Sequence, residues 1–546
     1  MTRRAVTALF AALVATVVAM LAGALPAEAH AGLVASTPAA SSVLDTSPPA
    51  IALDFDENID VPLTSIQLFD QDGKAIELGP PTEGSDQSIV EATVPTIGQG
   101  TYAVVWRVSS ADGHIVDGAF SFQIGTASDV DADTLLDTVL HGARADPAVG
   151  RGLGVARFAA FLGAALLLGG LFMVYMIDPG DTVIGWAARR LLWIGWLVLL
   201  IGSAANFGLL GANALAGSVG DALDTSVWGR IADTRTGGLL VARLVIVVAL
   251  LLPTLLTVSK RNASWWRSTL PGLAILTVFT FSGAGHPSVE KYPLIWIGLD
   301  ALHLAFVVVW MGSLVMMAVG GREWLRDDDH AVAVRRFSRM ATIGIPVIVV
   351  TGVIQAWKIG GGLSTLTETS WGRLLLAKGA VAVLLVTIGG ASRWLLQNDG
   401  PSALRRTVAT EALLGIVVLG LAAGLVGSAP RVGEQSRIYS ESLTEAGVIV
   451  DVTITPGQVG GNEVHMVVTP AGGNLTTTSS LTARMTLPSR DIPFVPVNIV
   501  AESPNHFTGN VTLPFAGAWT LEIVVSPQPS QSILLSSTVK IPERNP

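Results

Sequence analysis

The sequence predicts a multidomain membrane protein in which an all-β sandwich, an eight-helix transmembrane α bundle and a second all-β sandwich follow one another. Three observations support this order. Half of the 546 residues are hydrophobic and only 14% are charged, a balance typical of membrane proteins. Long apolar stretches fill the middle of the chain, and short alternating segments separated by Gly, Pro and Asn fill both ends.

The chain begins with a segment typical of a cleavable export signal. Two arginines precede an apolar run from Ala5 to Leu25 and then Ala27-Glu28-Ala29, the small-x-small pattern after which signal peptidase cuts. Cleavage there would make His30 the first residue of the mature protein. We therefore predict a signal peptide over residues 1–29 and an exported β domain over residues 30–125.

An N-terminal histidine suits copper, because its amine and its ring supply two nitrogen donors from one residue. With a second imidazole they form a compact nitrogen set that favours Cu(II). The second imidazole is predicted in Ser110-Ala111-Asp112-Gly113-His114, where Gly113 permits a tight turn after a strand-like run. Asp112 would add an oxygen ligand or orient a ring. Taken singly, His30 is more simply explained as an accident of where the signal is cleaved, and His114 as a surface turn residue; the metal site is predicted from the two together.

Composition restricts the chemistry further. The chain has no cysteine, which excludes disulfides, thiolate zinc sites and cysteine-based copper relays. No methionine occurs between Met20 and Met173, so the first β domain has no thioether ligands. A net charge of −9 argues against nucleic-acid binding.

The residues from His30 to Gly125 resemble the periplasmic copper-binding family CopC. The resemblance rests on the segments 30–33 (HAGL), 36–39 (STPA) and 110–114 (SADGH), with Gly118 and Phe120 beyond. We expect an Ig-like or cupredoxin-like sandwich. The resemblance implies that His30, Asp112 and His114 bind Cu(II). Glu57, in the segment 53–57 (LDFDE), is a weaker candidate ligand, with a solvated surface position as the alternative.

Eight apolar stretches between residues 151 and 430 are long enough to approach the roughly 20 residues that a bilayer requires. The loops after the odd-numbered stretches carry most of the Arg and Lys residues, which assigns these loops to the cytoplasm and both chain ends to the outside. The stretches cover residues 153–177, 189–209, 238–258, 269–285, 294–319, 338–358, 373–396 and 407–428.

Short sequence matches suggest that the helical region is a duplication of four helices. The segment 237–243 (GGLLVAR) matches 372–378 (GRLLLAK), and Gly169-Gly170-Leu171 is similar to Gly312-Ser313-Leu314. Two parallel halves would place a transport route at their interface. Apolar matches of this length also arise by chance.

Two histidines are the candidate metal ligands of the helical region. His303 lies near the predicted bilayer midplane, where an ionisable residue is costly and functional by default. Asp300 lies one turn earlier, and His286 lies at the outer end of the fourth stretch. The alternative role of both histidines is hydrogen bonding between helices. Arg243 and Lys378 are expected to reach the interface or to pair with a carboxylate such as Asp300.

Residues 151–430 resemble the copper-resistance membrane protein CopD. The resemblance rests on the segments 282–286 (SGAGH), 302–304 (LHL), 310–314 (WMGSL), 336–338 (RFS) and 371–378 (WGRLLLAK). It implies copper handling at the membrane, usually uptake, with Cu(I) as a candidate species in the helices and copper resistance and homeostasis as the biological role.

The chain ends in a second region of short alternating segments, at residues 440–546, which predicts a small antiparallel sandwich outside the membrane. It is similar to YtkA-like domains. His465, Met466 and His506 form an accessory metal candidate, against the simpler alternative of half-buried strand residues. Residues 126–150, rich in Asp and Ala, are predicted as a linker.

The sequence therefore predicts a copper-handling protein that captures Cu(II) outside the membrane and passes it to the helices. It shows no P-loop, so movement of copper would follow a gradient or couple to another ion, and no enzyme activity is expected. The expected partners are the copper ion, membrane lipid and an extracytoplasmic copper chaperone or reductase. An intramembrane haem or copper redox protein (a cupric reductase), a histidine-brace copper oxidase and a copper binder without transport activity remain alternatives.

Overall fold

A computed structural model gives the structure of most of the chain. The described residues are 33–38, 42–55, 57–110, 113, 115–125, 135, 139, 146–177, 185–258, 264–290, 292–326, 328–360, 366–367, 369–398, 405–428, 439–446, 448–455, 457, 459–469, 480–490, 492–503, 505–528 and 531–541. The chain divides into two compact units. The helical unit is built mainly on residues 145–431, and the second unit contains most of residues 30–144 together with residues 432–546.

The N-terminal β domain has two sheets. The strands are β1 Leu33–Thr37, β2 Val43–Leu44, β3 Ala50–Phe55, β4 Ser65–Phe69, β5 Ala75–Ile76, β6 Thr82–Glu83, β7 Ile89–Thr93, β8 Gly100–Ser109 and β9 Ile115–Ile124. One sheet has the order β1-β3-β7-β6 and the other β2-β9-β8-β4-β5. The pairing of β2 with β9 is parallel and the remaining pairings are antiparallel. The predicted all-β sandwich is confirmed.

Alternating side chains form the core of this domain. In β3 the buried positions are Ile51, Leu53 and Phe55, which is the period of two that a half-buried strand requires. Phe55 contacts Trp106 of β8 edge to face, with ring centroids 5.3 Å apart. Gly118 of β9 lies directly against the Trp106 ring, where a larger residue would overlap it. The sheets are therefore joined by aromatic packing rather than by disulfides.

The helical unit contains ten α-helices of eight or more residues among the described residues. They are α1 Pro147–Ala164, α2 Trp186–Ala214, α3 Thr225–Ala232, α4 Arg235–Ala249, α5 Leu251–Val258, α6 Ser264–Ser282, α7 Pro293–Arg326, α8 Asp328–Gly360, α9 Ser370–Asn398 and α10 Arg405–Val426. Beyond α1 the chain continues in π-helical turns over Ala165–Gly169 and Met173–Ile177. Side-chain caps start several helices, with Asp146 accepting from the Ala148 amide at 2.8 Å.

Seven helical spans among the described residues are long and apolar enough to cross a membrane, rather than the eight that we predicted. The fourth predicted stretch, residues 269–285, is the exception. Its apolar helical part is Thr269–Ser282, 14 residues or about 21 Å, because the helix ends at Ser282 and a glycine-rich turn follows. The protein is a multi-pass membrane protein whose spans are Pro147–Tyr175, Trp186–Ala214, Arg235–Thr257, Pro293–Val319, Val334–Ile359, Ser370–Leu395 and Arg406–Val426.

Glycines allow the helices of this unit to approach closely. Gly202 of α2 faces the backbone of α1, and Gly163 of α1 faces the backbone of α2 at Leu199. Gly195 of α2 faces the backbone of the first π-helical turn. The closest crossing joins Gly169, at the end of the first π-helical turn, to Gly312 of α7. A methyl group on either glycine would lie 2.7 Å from the Cα atom of the other.

This crossing supports the predicted duplication. Gly169 and Gly312 occupy equivalent positions in the two similar segments described above, and each is the other's neighbour. Reciprocal contact between equivalent positions is what a two-fold relationship between halves produces. The remaining sequence matches stay predictions.

The C-terminal domain is a sandwich of antiparallel sheets, as predicted. Its strands are β10 Tyr439–Glu445, β11 Val448–Thr455, β12 Gly460–Thr469, β13 Ser480–Leu487, β14 Ile492–Pro496, β15 Asn498–Ser503, β16 His506–Leu513, β17 Gly517–Gln528 and β18 Gln531–Ile541. The sheet orders are β10-β11-β12-β16-β15 and β14-β13-β17-β18. Trp519 is fully buried in the core, and its indole N–H donates to the Phe515 carbonyl at 2.8 Å.

Replacing Gly312 by alanine tests the α1–α7 crossing. The new methyl group would overlap the Ala165 carbonyl oxygen, which is backbone and cannot turn away. We expect Gly312→Ala to destabilise the protein by about 1–3 kcal/mol, the usual cost of overpacking. The measurement is the melting temperature of the detergent-solubilised chain. Gly298→Ala on the same helix is the matched control, because nothing lies within 4 Å of its added methyl. Equal melting temperatures for the two variants would contradict the crossing.

Candidate metal centres

Three of the predicted Cu(II) ligands, His30, Asp112 and His114, lie outside the described residues. Among the residues that the structure does describe, no three His, Asp or Glu side chains lie close enough together to hold a metal ion. What the structure shows of the predicted site is the framework on either side of these ligands.

The described residues that flank the predicted ligands converge at one end of the N-terminal sandwich. Leu33, three residues after His30, pairs with Phe55 at the end of β3. Ile59 bridges to Ser110, two residues before Asp112, and the Asp60 amide donates to the Ser109 carbonyl at 2.8 Å. Because a chain spans at most about 3.6 Å per residue, short segments lead from these anchors to each predicted ligand. The framework is therefore compatible with one shared site.

Two carboxylates lie in the segment that crosses this end of the domain. Glu57, the fourth predicted ligand, is partly buried, and its Oε1 atom is inaccessible to solvent. Oδ2 of Asp60 is buried in the same way. Oxygen donors beside two imidazoles suit Cu(II). The position of Asp60 is not visible in the sequence, because it follows from the bridge between Ile59 and Ser110.

An ion pair balances the charge of the neighbouring strands. Nη1 of Arg107 in β8 lies 3.1 Å from Oδ1 of Asp117 in β9. Burial lowers the pKa of Arg107, and the nearby Asp117 carboxylate opposes this shift. Asp117 is therefore matched by a cation of the neighbouring strand.

His303 is the centre of a polar contact between α7 and α8. It lies ten residues after the start of α7 at Pro293, about 15 Å along the helix and within the apolar span Pro293–Val319. Its Nδ1 atom is 2.9 Å from Oγ1 of Thr351. Gly352 allows this approach, because a methyl group there would lie only 3.1 Å from Cε1 of the ring.

The contacts of Thr351 determine which ring nitrogen of His303 carries the proton. The threonine hydroxyl donates its one proton to the α8 backbone, at 2.6 Å from the Val347 carbonyl. It can therefore only accept from His303, so Nδ1 is protonated and donates. The Nε2 atom then holds a free lone pair. A metal-ligating histidine usually donates its other ring N–H to an oxygen in this manner.

The facing surfaces of α7 and α8 carry further polar groups, and together they form a polar seam. Towards one end of the seam, Nζ of Lys358 lies 2.9 Å from Glu290 and 5.6 Å from the Trp296 ring. Between this pair and His303, Nε2 of Gln355 is buried and has no hydrogen-bond partner among the described residues. The seam consists of Trp296, Asp300, His303, Thr351, Gln355 and Lys358.

Asp300 links the seam to two other elements. It lies in the electric field of Lys378 on α9 and of His286, and beside the buried hydroxyl of Ser282 at the end of α6. A carboxylate beside a cationic side chain such as Lys378 offsets a charge that would otherwise be unpaired within a membrane. Both predicted membrane ligands, His286 and His303, thus belong to one polar cluster that also contains Asp300.

His286 is held by a turn that Arg235 fixes in place. The residue opens a 3₁₀ turn, His286–Ser288, directly after the glycines that end α6, and its Nε2 atom is buried. Arg235 at the start of α4 donates to the Gly283 carbonyl at 3.2 Å and to the Ser288 hydroxyl at 2.5 Å. The predicted position beside the start of α7 is confirmed.

Other singled-out groups have structural partners. Arg243 donates to Thr280, through Nε to Oγ1 at 3.1 Å and through Nη2 to the carbonyl oxygen at 2.9 Å, and stacks on Phe281. Of the two cations that we expected near Asp300, Lys378 is the one that interacts with it. The methionines of α7 pack in the apolar core, where Met311 fills the space beside Gly415.

The strand geometry removes Met466 from the accessory metal candidate in the C-terminal domain. His465 is partly exposed on β12, whereas the next residue, Met466, is completely buried in the core. Neighbouring residues of a strand point to opposite faces of the sheet, so Met466 cannot join His465. The side chain of His506 lies outside the described part of the chain.

Removing the charge of Asp300 tests the polar cluster. Asp300→Asn would leave Lys378 without its counter-charge, and Lys378→Met would do the reverse. We expect each single variant to lower the melting temperature and the double variant to regain part of the loss, with a coupling free energy of about 0.5–3 kcal/mol. Thermal unfolding in detergent measures it, with Lys378→Arg as the charge-preserving control. Strictly additive losses would show that the two groups do not interact.

Family models match three parts of this chain. The CopC domain model matches residues 33–125. The model of the copper resistance protein D-like N-terminal domain matches residues 148–291, and that of copper resistance protein D matches residues 331–425.

Similar proteins carry the same parts. The copper transport protein CutJ of Bacillus subtilis (strain 168) is 25% identical over 471 residues, which cover 82% of this chain and 83% of CutJ. The inner membrane protein YebZ of Escherichia coli (strain K12) is 28% identical over 35% of this chain and 69% of its own length. The crystal structure of CopC from Methylosinus trichosporium OB3b is 28% identical, covers 19% of this chain and 100% of that one, and has a TM-score of 0.17.

The order of the matches along the chain agrees with the order of the domains. A β sandwich comes first, the helices that contain His286 and His303 follow, and a second sandwich ends the chain. The chain therefore combines a β region that matches the CopC domain model with a helical region that matches the two copper resistance protein D models.

Proposed function

We propose that this protein captures Cu(II) outside the membrane with its CopC domain and transfers copper into its helical domain for uptake. The observation that carries the proposal is the contact of His303 Nδ1 with the Thr351 hydroxyl, from which we infer a protonated Nδ1 and an Nε2 atom that can act as a ligand within an apolar span. The similarity to a protein named as a copper transport protein supports it. Copper homeostasis and resistance would follow from such transfer.

In the outer domain, the proposed ligands are His30, Asp112 and His114, with Glu57 as a further oxygen donor. The convergence of Leu33, Ile59 and Ser110 supports a single site. Copper is the cargo of this site. Nitrogen and oxygen donors without thioethers favour its divalent state.

In the helical domain, His286 and His303 are the proposed successive ligands. His286 lies next to the start of α7, and Asp300 lies within electrostatic range of it on the same helix as His303. The Asp300 carboxylate would stabilise the positive charge of a passing ion, since an unpaired charge in the membrane is expensive. Gln355 offers an amide oxygen at the same level of the seam.

A second candidate function is a haem or copper redox protein that acts as a cupric reductase. The packing of His303 favours an ion over a haem group, because its ring lies against Gly352 and bonds to Thr351 within a helix contact. A copper binder without transport is the other alternative. A buried polar cluster across α6, α7, α8 and α9 is costly, and an anchor has no use for it. We therefore propose a transporter rather than an enzyme.

We further propose that both β domains lie outside the cell membrane, with copper, lipid and an extracytoplasmic copper chaperone or reductase as partners, and that the second sandwich is of the YtkA-like type. The concentration of Arg residues on alternate loops supports this orientation. This orientation requires α6 to cross the membrane as well. The 19 residues of the whole helix correspond to a length of about 28 Å.

Copper accumulation in cells that lack their own copper importer tests the proposed route. We expect the intact chain to raise cellular copper and His303→Ala to abolish the increase at every copper concentration, because the intramembrane ligand is lost. His114→Ala should act only at low copper, raising the concentration for half-maximal accumulation by about tenfold or more, since one lost ligand costs over about 1.4 kcal/mol.

Thr351 supplies the control for this experiment. Thr351→Ser keeps the hydroxyl that accepts from His303 and should retain accumulation, whereas Thr351→Val removes it and should reduce accumulation. Membrane insertion is verified for each variant by its level in the membrane fraction. No increase with the intact chain would refute transport and leave the binding role.

The proposed orientation can be tested with single cysteines, because the natural chain contains none. Asp72→Cys in the first sandwich and Asn510→Cys in the second are both exposed. We expect a membrane-impermeant maleimide to label both in intact cells and to label Arg335→Cys only after lysis. Protection of Asn510→Cys until lysis would place the chain ends on opposite sides and would exclude α6 as a crossing helix.

A further inference from the structure

A cavity and a buried carboxylate coincide in the part of the helical domain away from the polar seam. The cavity has a volume of about 240 Å³ and lies between α7, α8, α9 and α10. Liquid water occupies about 30 Å³ per molecule, so the cavity has room for several waters. Glu411 of α10 lines it, and the residue is only 4% exposed.

The surroundings of Glu411 hold it in one orientation. Ser392 of α9 donates to Oε1 at 2.5 Å. Oε2 faces Gly389, which has no side chain to fill the space, and a methyl group there would lie 3.8 Å from this oxygen. One oxygen is thus engaged by a neutral donor, and the other lies on the cavity side.

The charged groups near the cavity do not neutralise Glu411. Of the described lining residues, Arg393 is the one cation, and its Nη1 donates to α8, to the Ser338 carbonyl at 3.3 Å and to Thr342 Oγ1. The lining residues of α7 (Trp310, Leu314 and Met317) carry no charge. Arg335 and Arg339 of α8 and Arg406 of α10 are exposed.

A carboxylate in an apolar, membrane-embedded wall is expensive when ionised, and binding a proton removes that cost. Copper is a poorer occupant, since the lining residues offer one carboxylate, hydroxyls and a single thioether, that of Met317. A neutral serine donor and a cavity for water suit a carboxyl group that gains and loses a proton.

The cavity also reaches towards the proposed copper route. Pro346 of α8 lines it, five residues or about 7.5 Å below Thr351. Trp310 lines it from α7, seven residues or about 10.5 Å beyond His303. Proline leaves the carbonyl of Thr342 without its helical partner, so this wall of the cavity has a further acceptor for water.

From this coincidence we propose that Glu411 is a proton-binding site that exchanges protons with the side bearing Arg335, Arg339 and Arg406, and that its protonation is coupled to copper movement. The coupling rests on the proposed transport function, whereas proton binding by Glu411 does not. In the coupled step, Glu411 takes a proton from water in the cavity and later returns it to water, and no electron is transferred. A proton gradient would then supply the driving force that the absence of a P-loop leaves open.

Infrared difference spectroscopy of the full chain in nanodiscs tests proton binding without copper. We expect the spectrum of the native protein minus that of Glu411→Gln to show a protonated carboxyl band near neutral pH that is lost as the pH rises. Ser392→Ala, which keeps the carboxyl but removes its donor, should shift this band. Asp233→Asn, which removes an exposed carboxylate, should leave it unchanged. If Glu411 stayed ionised at every pH above the range in which exposed carboxylates titrate, the proposal would be overturned.

Proteoliposomes with an enclosed pH-sensitive dye test the coupling. We expect copper entry through the native protein to be accompanied by proton movement, and Glu411→Gln to lose the proton movement. If the number of protons moved per copper ion were the same in Glu411→Gln as in the native protein, the coupling would be wrong. If the native protein moves no copper, the transport function fails, and the infrared result decides proton binding by itself.

Discussion

The membrane domain depends on the close crossing of its first helical span with α7 at Gly169 and Gly312. Neither position has room for a side chain, and the backbone of α1 is π-helical at this point. The crossing fixes where α7 lies, and α7 carries Asp300, His303 and the wall of the inner cavity. Helices in lipid gain little from burying apolar surface, so close packing at small residues has to determine their arrangement.

The position of α7 in turn creates the polar seam with α8. Trp296 of α7 contacts Lys358 of α8, and His303 of α7 contacts Thr351 of α8. From the first contact to the second, the chain advances seven residues along α7 and goes back seven residues along α8, so the two helices run antiparallel. Spacing by seven keeps residues on one helix face. The seam therefore follows from helical geometry once the crossing is fixed. Among the residues of the seam, only His303 at its centre carries an imidazole, and its Nε2 atom is the proposed ligand.

The sequence was sufficient for the order and the fold class of the domains, because hydropathy, strand alternation and a few motifs carry that information. It misplaced the end of the fourth apolar helix, because the 17 predicted residues include the glycines that follow the end of α6 at Ser282. It also could not find Thr351, an ordinary residue in an apolar helix whose role depends on the register between α7 and α8. Glu411 was similarly hidden, since burial by neighbouring helices is not visible in one helix alone.

The hydrogen bond that the Thr351 hydroxyl donates determines how much positive charge an ion bound at His303 would add to the seam. Its proton is engaged by the carbonyl of Val347, a part of the helix itself, so the state of the His303 ring is fixed by the fold before any ion arrives. An ion binding at Nε2 would then displace no proton and would add its full charge to the seam. That charge has to be balanced electrostatically, by Asp300, rather than chemically, by release of a proton. His303 and Asp300 are thus interdependent, because the histidine would bind the ion and the carboxylate would offset its positive charge.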